Sequence, residues 1–401
     1  MKTRTIRPSE RQTLLSQRRR LKMAESAHAY VRGNTVKFYE WLESTRAAEI
    51  LPDGPPVWIC GDCHIGNLGP VASVDGRIEL QIRDLDQTVI GNPAHDLIRL
   101  SLSLAMAARS SDLPGVTTAL MIEQVMEGYR HGLIRRHAEA VDSKVEPIRV
   151  VMKQALRRKW RHLAEERIED VTPRIPLGRR FWALSKEERK AIDGIAAEEE
   201  TRKLITSLKS RKDKDAIAVL DAAYWVKGCS SLGRLRYAAL IGIGKGAHEE
   251  MCLLDIKEST KPAAPRSKDS PMSTNNAERV VAGAKALSPF LGDRMLATHL
   301  MDRSVVLREL MPQDLKFEME RLKQNEAVAA AKLFASVVGK AHGRQMNQKA
   351  REAWAKDLGR SRSKTIDAPS WVWSSVVELA ATHEAAYLEH CRVYAMQRSA
   401  A

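Results

Sequence analysis

Cysteine is scarce in this chain and long apolar runs are missing altogether. Five cysteines, Cys60, Cys63, Cys229, Cys252 and Cys391, are scattered over 401 residues. An odd, dispersed set excludes a disulfide framework as organiser of the fold and fits a reducing compartment. No apolar run approaches the roughly 20 residues that a membrane-spanning helix needs, and the first residues lack the apolar core of a secretory signal. A cytoplasmic protein without a membrane partner is expected. No repeat period is visible, and low complexity is confined to the Pro/Ser/Lys-rich stretch 259–275, which reads as a loop. What is present is apolar material, 44% of the chain, enough for two or three domains or lobes with cores of their own.

The formal net charge is +15, and basic proteins attract anionic partners through their field regardless of fold. Residues 1–22 hold Lys2, Arg4, Arg7, Arg11, Arg18, Arg19, Arg20 and Lys22 against Glu10, so about half of the excess lies in one short segment. It reads as a basic N-terminal arm, and any contact with nucleic acid is expected through it alone. Between 151 and 215 the charges are sign-mixed, as in Arg157-Arg158-Lys159 followed by Glu165-Glu166-Arg167, the pattern of solvated helical faces.

Segments 10–47 and 95–165 read as helix, with apolar residues three and four apart, as in Leu97, Leu100, Leu104 and Ala108. Between them Val57 to Cys60 and Ile78 to Ile82 read as strands, the second following an Asp75-Gly76 turn. From about 218 the pattern predicts a three-stranded antiparallel meander: Ala222 to Val226, Arg236 to Ile243 and Met251 to Lys257, joined by turns at Gly228 to Gly233 and Gly244 to Gly246. A helix capped by Asn275 or Asn276 follows, then a strand at Val305 to Leu310 and further helices over 325–401, interrupted near Gly359 to Pro369.

The most specific signal is Gly61-Asp62-Cys63-His64-Ile65-Gly66-Asn67, followed 17 residues after Asn67 by Asp84-Leu85-Asp86 and then Gly91-Asn92-Pro93-Ala94-His95-Asp96. G-D-x-H-x-x-N, a hairpin and a D-x-D step resemble the catalytic core of aminoglycoside phosphotransferases and choline kinases. Phosphoryl transfer needs a carboxylate to orient or deprotonate the attacking group, and oxygen ligands for a metal that bridges phosphate oxygens. The resemblance implies Asp62 in the first role, Asn67 and Asp84 on Mg²⁺, Asp86 as a further or supporting ligand, and His64 and Asp96 as braces of the loop. It also implies ATP, with Gly228, Ser230 and Gly233 in a turn over phosphates, Lys257 on the phosphates and Glu278 as the lysine's partner. Met311-Pro312, after the strand at 305–310, would be the hinge that reads adenine.

The glycine turn and lysine follow the catalytic loop here, whereas kinases place them before it. The expected fold is therefore α+β: a protein-kinase-like two-lobe fold, circularly permuted, with a largely helical C-lobe and a small antiparallel-sheet nucleotide lobe. The expected boundaries are the arm at 1–22, a helical lobe at 23–215 with the catalytic loop and D-x-D, the nucleotide lobe at 216–316, and helices at 317–401 that complete the helical lobe. Over roughly residues 20 to 395 the chain also resembles the bacterial family called domain of unknown function 2252, in Gly61-Asp62, His64, Asn67, Gly69, Asp84, Asp86, Gly228, Gly233 and Lys257-Glu258. Serine replaces that family's usual middle glycine in the turn.

The expected activity is an ATP- and Mg²⁺-dependent phosphotransferase acting on a small-molecule hydroxyl or amine. Only Gln87 to Ile90 separates D-x-D from Gly91, which leaves no room for the activation segment of a protein kinase. A nucleotidyltransferase or a nucleotide-binding pseudokinase would use the same residues. A metallophosphoesterase fits less well, because Pro93-Ala94 separates Asn92 from His95 where that class needs a contiguous G-N-H. Cys60-Gly61-Asp62-Cys63 has C-x-x-C spacing, but no second pair is available for zinc.

Overall fold

The computed structural model describes residues 6–44, 51–135, 145–167, 174–229, 231–245, 250–268, 270–315, 322–359 and 368–399. In chain order the first elements are α1 (Pro8–Ala24), α2 (Ala27–Gly33), α3 (Thr35–Ser44), β1 (Val57–Ile59), β2 (Leu68–Ala72), β3 (Ile78–Ile82), β4 (Val89–Gly91), α4 (Ala94–Ser110), α5 (Gly115–Ile134), α6 (Glu146–Arg157) and α7 (Trp160–Arg167). Then come β5 (Phe181–Trp182), α8 (Lys186–Ala197), α9 (Glu199–Thr206), β6 (Ile217–Trp225), β7 (Arg236–Ile243), β8 (Glu250–Glu258), α10 (Asn276–Leu287), α11 (Pro289–Gly292), β9 (Met295–Leu300) and β10 (Arg303–Leu310). The last are α12 (Gln324–Gly343), α13 (Gln348–Asp357) and α14 (Ser370–Ser399). The chain is mixed α+β, and among the described residues no helix is long and apolar enough to cross a membrane.

The expected meander is β6 to β8, but the sheet is larger: six antiparallel strands in the order β5-β6-β7-β8-β10-β9. Central β7 is buried along its whole length because both faces are covered. Tyr237, Ala239, Ile241 and Ile243 face Ile192, Ile195 and Ile205 of α8 and α9, while Ala238 and Leu240 pack with Phe181, Trp225, Leu253 and Leu163 on the other side. That is the period-two pattern of a strand between two apolar layers. Asn275 caps α10 by accepting from Ala277 N and Glu278 N.

Two expected boundaries shift. β5 pairs with β6, Phe181 opposite Trp225, and α8 and α9 pack on the sheet, so this part begins before 181 rather than at 216. Arg211 ties the connection to the sheet through Glu309 and Glu250. The basic segment read as an arm is, from Pro8, the docked helix α1. Leu15 enters the sheet core, the Arg11 guanidinium is buried on Glu188 at 2.5 Å and on Ala183 O at 2.7 Å, and Arg18 stacks over Trp182 at 5.0 Å. Glu188 is preset for Arg11, because the α8 capping box with Ser185 and the Tyr237 hydroxyl fix its carboxylate. Arg11→Ala is expected to cost on the order of 2 kcal/mol, the scale of hydrogen bonds to a charged partner, and to speed tryptic cleavage at Arg18 to Lys22. An unchanged melting temperature and cleavage rate would refute the docking.

The helical body packs α3, α4, α5, α12, α13 and α14 around the short strands β1 to β4 in one apolar core. Its central seam is α5 on α12. Gly128 and Gly132 of α5 lie against the Lys332 and Ser336 carbonyls of α12, Gly339 and Gly343 of α12 lie against the Tyr129 and Leu133 carbonyls of α5, and a methyl group added to Gly132 would lie 2.0 Å from the Ser336 carbonyl oxygen. The backbones touch because no side chain intervenes. α14 lies along the first helices: the Tyr387 hydroxyl donates to Ala24 O at 3.3 Å, and the His390 ring stands 3.0 Å from Arg20 O.

Candidate active site

β1 delivers the chain to Gly61, whose φ is +73°. A methyl there would meet Gln87 O at 2.2 Å, so glycine is required both for conformation and for space. The Asp96 carboxylate, in the first turn of α4, accepts the N–H groups of Cys60 at 2.7 Å and Gly61 at 2.9 Å. His342 Nε2 stands 3.2 Å from the same carboxylate, and His342 Nδ1 2.9 Å from the Tyr129 hydroxyl, which Trp354 Nε1 reaches at 3.1 Å. A buried chain of hydrogen bonds thus runs from α13 through α5 and α12 to the loop.

A 3-10 turn, Ile65–Asn67, leads into β2. The β2–β3 hairpin pairs Leu68 with Ile82, and Arg83 N donates to Asn67 O at 2.7 Å. The 17-residue gap between Asn67 and Asp84 is therefore closed by an antiparallel turnback. Asn67 Nδ2 donates to Asp62 O at 3.0 Å, which leaves Oδ1 for a ligand. Asp62 is turned toward α4, where Arg99 Nε meets Oδ1 at 2.9 Å and the carboxylate is 11% exposed. Arg99, one turn beyond Asp96, is itself fixed by Val31 O at 2.6 Å.

Between the loop and the sheet lies a cleft of about 630 Å³, a volume typical of small-molecule sites. His64, Asn67, Asp84, Asp86 and Lys257 line it, and Asp62 is not on its wall. Apolar side chains line it as well, among them Val280, Leu291, Met295, Val306, Leu310 and Met311. Charged groups lie among them. Lys257 Nζ bonds Asp86 and stands 3.4 Å from Asp84 Oδ1, while Arg236 is paired with Asp255, which also meets Arg308 at 3.5 Å. Desolvation in the cleft opposes the Asp84 charge, but Lys257, Arg236 and Arg308 outweigh it and hold the carboxyl below the ordinary range. Burial and the neighbouring Asp84 charge push Asp86 above it.

Other expected residues sit differently. Glu278 accepts from Ser273 Oγ at 2.6 Å rather than from Lys257; the following residue, Arg279, ties α10 to the D-x-D segment through Thr88 O and Asp86 O. His64, read as a brace, is 6% exposed, and its Nδ1 has no partner among the described residues. Burial and the charges of Arg32 and Arg99 hold its pKa well below the ordinary value, so it is neutral at pH 7. Gly228 and Gly233 both take positive φ, 92° and 100°, as a tight turn requires. Gly228 lines the cleft, Gly233 lies against Gln12, and Ser230 is outside the described residues. At the expected hinge, Met311 O and Pro312 O are taken by Asp314 N and Arg158 Nε. Arg99, Arg236, Asp255 and Arg308 gave no sequence signal except that Arg99 follows Asp96 by three positions, on the same helix face.

The family model described as an uncharacterized protein conserved in bacteria (DUF2252) matches residues 11–393. The chain belongs to that family. No curated protein and no solved structure matches it.

Proposed function

We propose that this protein is an ATP- and Mg²⁺-dependent phosphotransferase of kinase-like, circularly permuted architecture, acting on a small-molecule hydroxyl or amine. The observation that carries this reading is the meeting of Asn67, Asp84 and Asp86 from the helical body with Lys257 from the sheet on one cleft wall. Two carboxylates and an amide are oxygen donors of the kind Mg²⁺ prefers, and the Lys257 ammonium beside both carboxylates supports a place for positive charge there. Among the described residues no group of three or more His, Cys, Asp or Glu could hold a metal, so the site would rely on Asn67 and on phosphate oxygens as well. When bound, Mg²⁺ would neutralise charge on the phosphates. Lys257, Arg236 and Arg308 would face the phosphates, and the apolar lining residues such as Val280, Met295 and Val306 would take the base.

In the transfer, the acceptor oxygen or nitrogen bonds to the γ-phosphorus as the bond from that phosphorus to the β,γ-bridging oxygen breaks. ADP keeps the electron pair and the acceptor's proton passes to Asp62. Arg99 holds Oδ1 of Asp62, leaving Oδ2 for that proton. The sheet itself supports the kinase-like reading: two strands joined by a glycine turn, a third carrying Lys257 one residue before its end, then a helix. The packing of α14 beside α1 and α2 supports the permuted order, since it brings the last helix to the first ones. Asp62, set back from the wall by Arg99, favours a second reading, a pseudokinase that binds nucleotide without transfer.

Mg²⁺-dependent thermal stabilisation by ATP tests the reading. The wild-type melting temperature should rise with ATP and Mg²⁺ together, and Asp84→Ala should lose most of that rise. No rise in either protein at saturating ATP removes the nucleotide site; a rise without ADP formation in the presence of acceptors selects the pseudokinase.

A further inference from the structure

One corner of the cleft is not absorbed by that mechanism. Arg32, in the last turn of α2, reaches over the catalytic loop: a methyl group on Gly66 would lie 2.8 Å from Arg32 Nη2 and 3.1 Å from His64 Cε1. Both side chains line the cleft. Other cations on its walls have partners. Arg236 is on Asp255, Arg308 on Asp255 and Arg83 O, Lys257 on the two aspartates, and Lys22 on Gly228 O at 2.8 Å. Arg32 makes no ion pair or hydrogen bond among the described residues, and its Nε is buried and unpaired. The neighbouring His64 Nδ1 is likewise buried and unpaired.

A guanidinium and an imidazole with open hydrogen-bonding positions, side by side in a cleft, are a binding site in want of an anion. Burying such groups unsatisfied is costly, and the planar fork of arginine matches the oxygens of a carboxylate or phosphate. The position identifies whose anion it is. Gly66 lies between His64 and Asn67, in the loop that carries Asp62, whereas the phosphate-facing cations Lys257 and Arg236 come from the sheet. We propose that Arg32 and His64 form an anion subsite for the acceptor, which is a small hydroxyl- or amine-bearing molecule carrying a phosphate or carboxylate group. This rests on the phosphotransferase reading for the word acceptor, but the anion site itself does not.

The test titrates inorganic phosphate and malonate into the full chain held in saturating Mg²⁺ and a non-hydrolysable ATP analogue, comparing wild type with Arg32→Gln and Arg32→Lys. One of the two anions should bind wild type with the nucleotide present, and whether phosphate or malonate binds more tightly tells the two sources apart. Arg32→Gln should weaken it by roughly ten- to hundredfold, the value of a charge-assisted contact. Arg32→Lys should recover part of the loss. Arg32 has no partner to lose, so the ligand-free melting temperature should not fall, and the analogue's own affinity should stay within about twofold. Binding of neither anion to wild type, or equal binding to Arg32→Gln, overturns the proposal. So does an Arg32→Gln protein that loses the ATP analogue far more than ADP, which would assign Arg32 to the γ-phosphate. If no nucleotide binds at all, the phosphotransferase reading fails separately. The anion site is then read without nucleotide: it stands if phosphate binding is kept in Lys257→Met and lost in Arg32→Gln, and falls if the reverse holds.

Discussion

Gly132→Ala should destabilise the protein by about 3 kcal/mol, although helix propensity alone favours alanine by about 1 kcal/mol. The added methyl would sit 2.0 Å from the Ser336 carbonyl oxygen, and a methyl at Gly128 would sit 2.0 Å from Lys332 O. These are backbone atoms of a helix, so no side chain can rotate away; α5 and α12 must separate, and the apolar seam between them opens along its length. Gly194 is the control. It lies inside α8 with nothing within 4 Å of an added methyl, so Gly194→Ala should stabilise by up to about 1 kcal/mol. Urea unfolding of the three proteins checks both signs. A stabilised Gly132→Ala would mean that the helices are not in backbone contact.

Asp96→Asn should cost about 3–4 kcal/mol and loosen the Gly61–Asn67 loop, because it removes a buried charge from a fully partnered position. The carboxylate accepts two backbone N–H groups and faces His342 Nε2. An amide has one acceptor oxygen, so its NH₂ must be set against a donor. The chain has one consistent polarity: Trp354 Nε1–H to Tyr129, the Tyr129 hydroxyl to His342 Nδ1, and His342 Nε2–H to Asp96. Breaking it at the far end with Trp354→Phe should cost about 2 kcal/mol, the lost hydrogen bond plus the void beside the smaller ring. Hydrogen exchange at Cys60 and Gly61 separates the two, rising sharply in Asp96→Asn and little in Trp354→Phe. Unaltered exchange in Asp96→Asn would show that the carboxylate does not hold the loop.

What could be read from sequence followed locality. Gly61 to Asn67, the hairpin and Asp84-Leu85-Asp86 lie within 26 residues (61–86); alternation exposed β3, and short apolar runs, two of them set off by glycine turns, exposed β7, β8 and β10. β5 has two residues, too few for any period, and the mostly half-exposed face of β9 gave no alternation. The docking of α1 was illegible because its charges look solvated until Glu188, 177 positions away, is seen opposite Arg11. Glu278 was the expected helix residue because its type matched the role; the turn of α10 instead presents Arg279 to the backbone of the D-x-D segment. Arg32 stood out in no pattern, since an unpaired guanidinium is visible only once its surroundings are.

The glycine seam also constrains the order in which the molecule can be made. The sheet, from Phe181 to Leu310, is one uninterrupted stretch of chain and can close on itself as soon as it leaves the ribosome. The body that carries the Gly61–Asn67 loop cannot. Asp96 waits for His342, 246 positions later, and Gly132 for Ser336. The Gly61–Asn67 loop is thus translated early and braced late, with the sheet already folded beside it, and an incomplete chain would hold the cleft's charged residues without the clamp that aligns them.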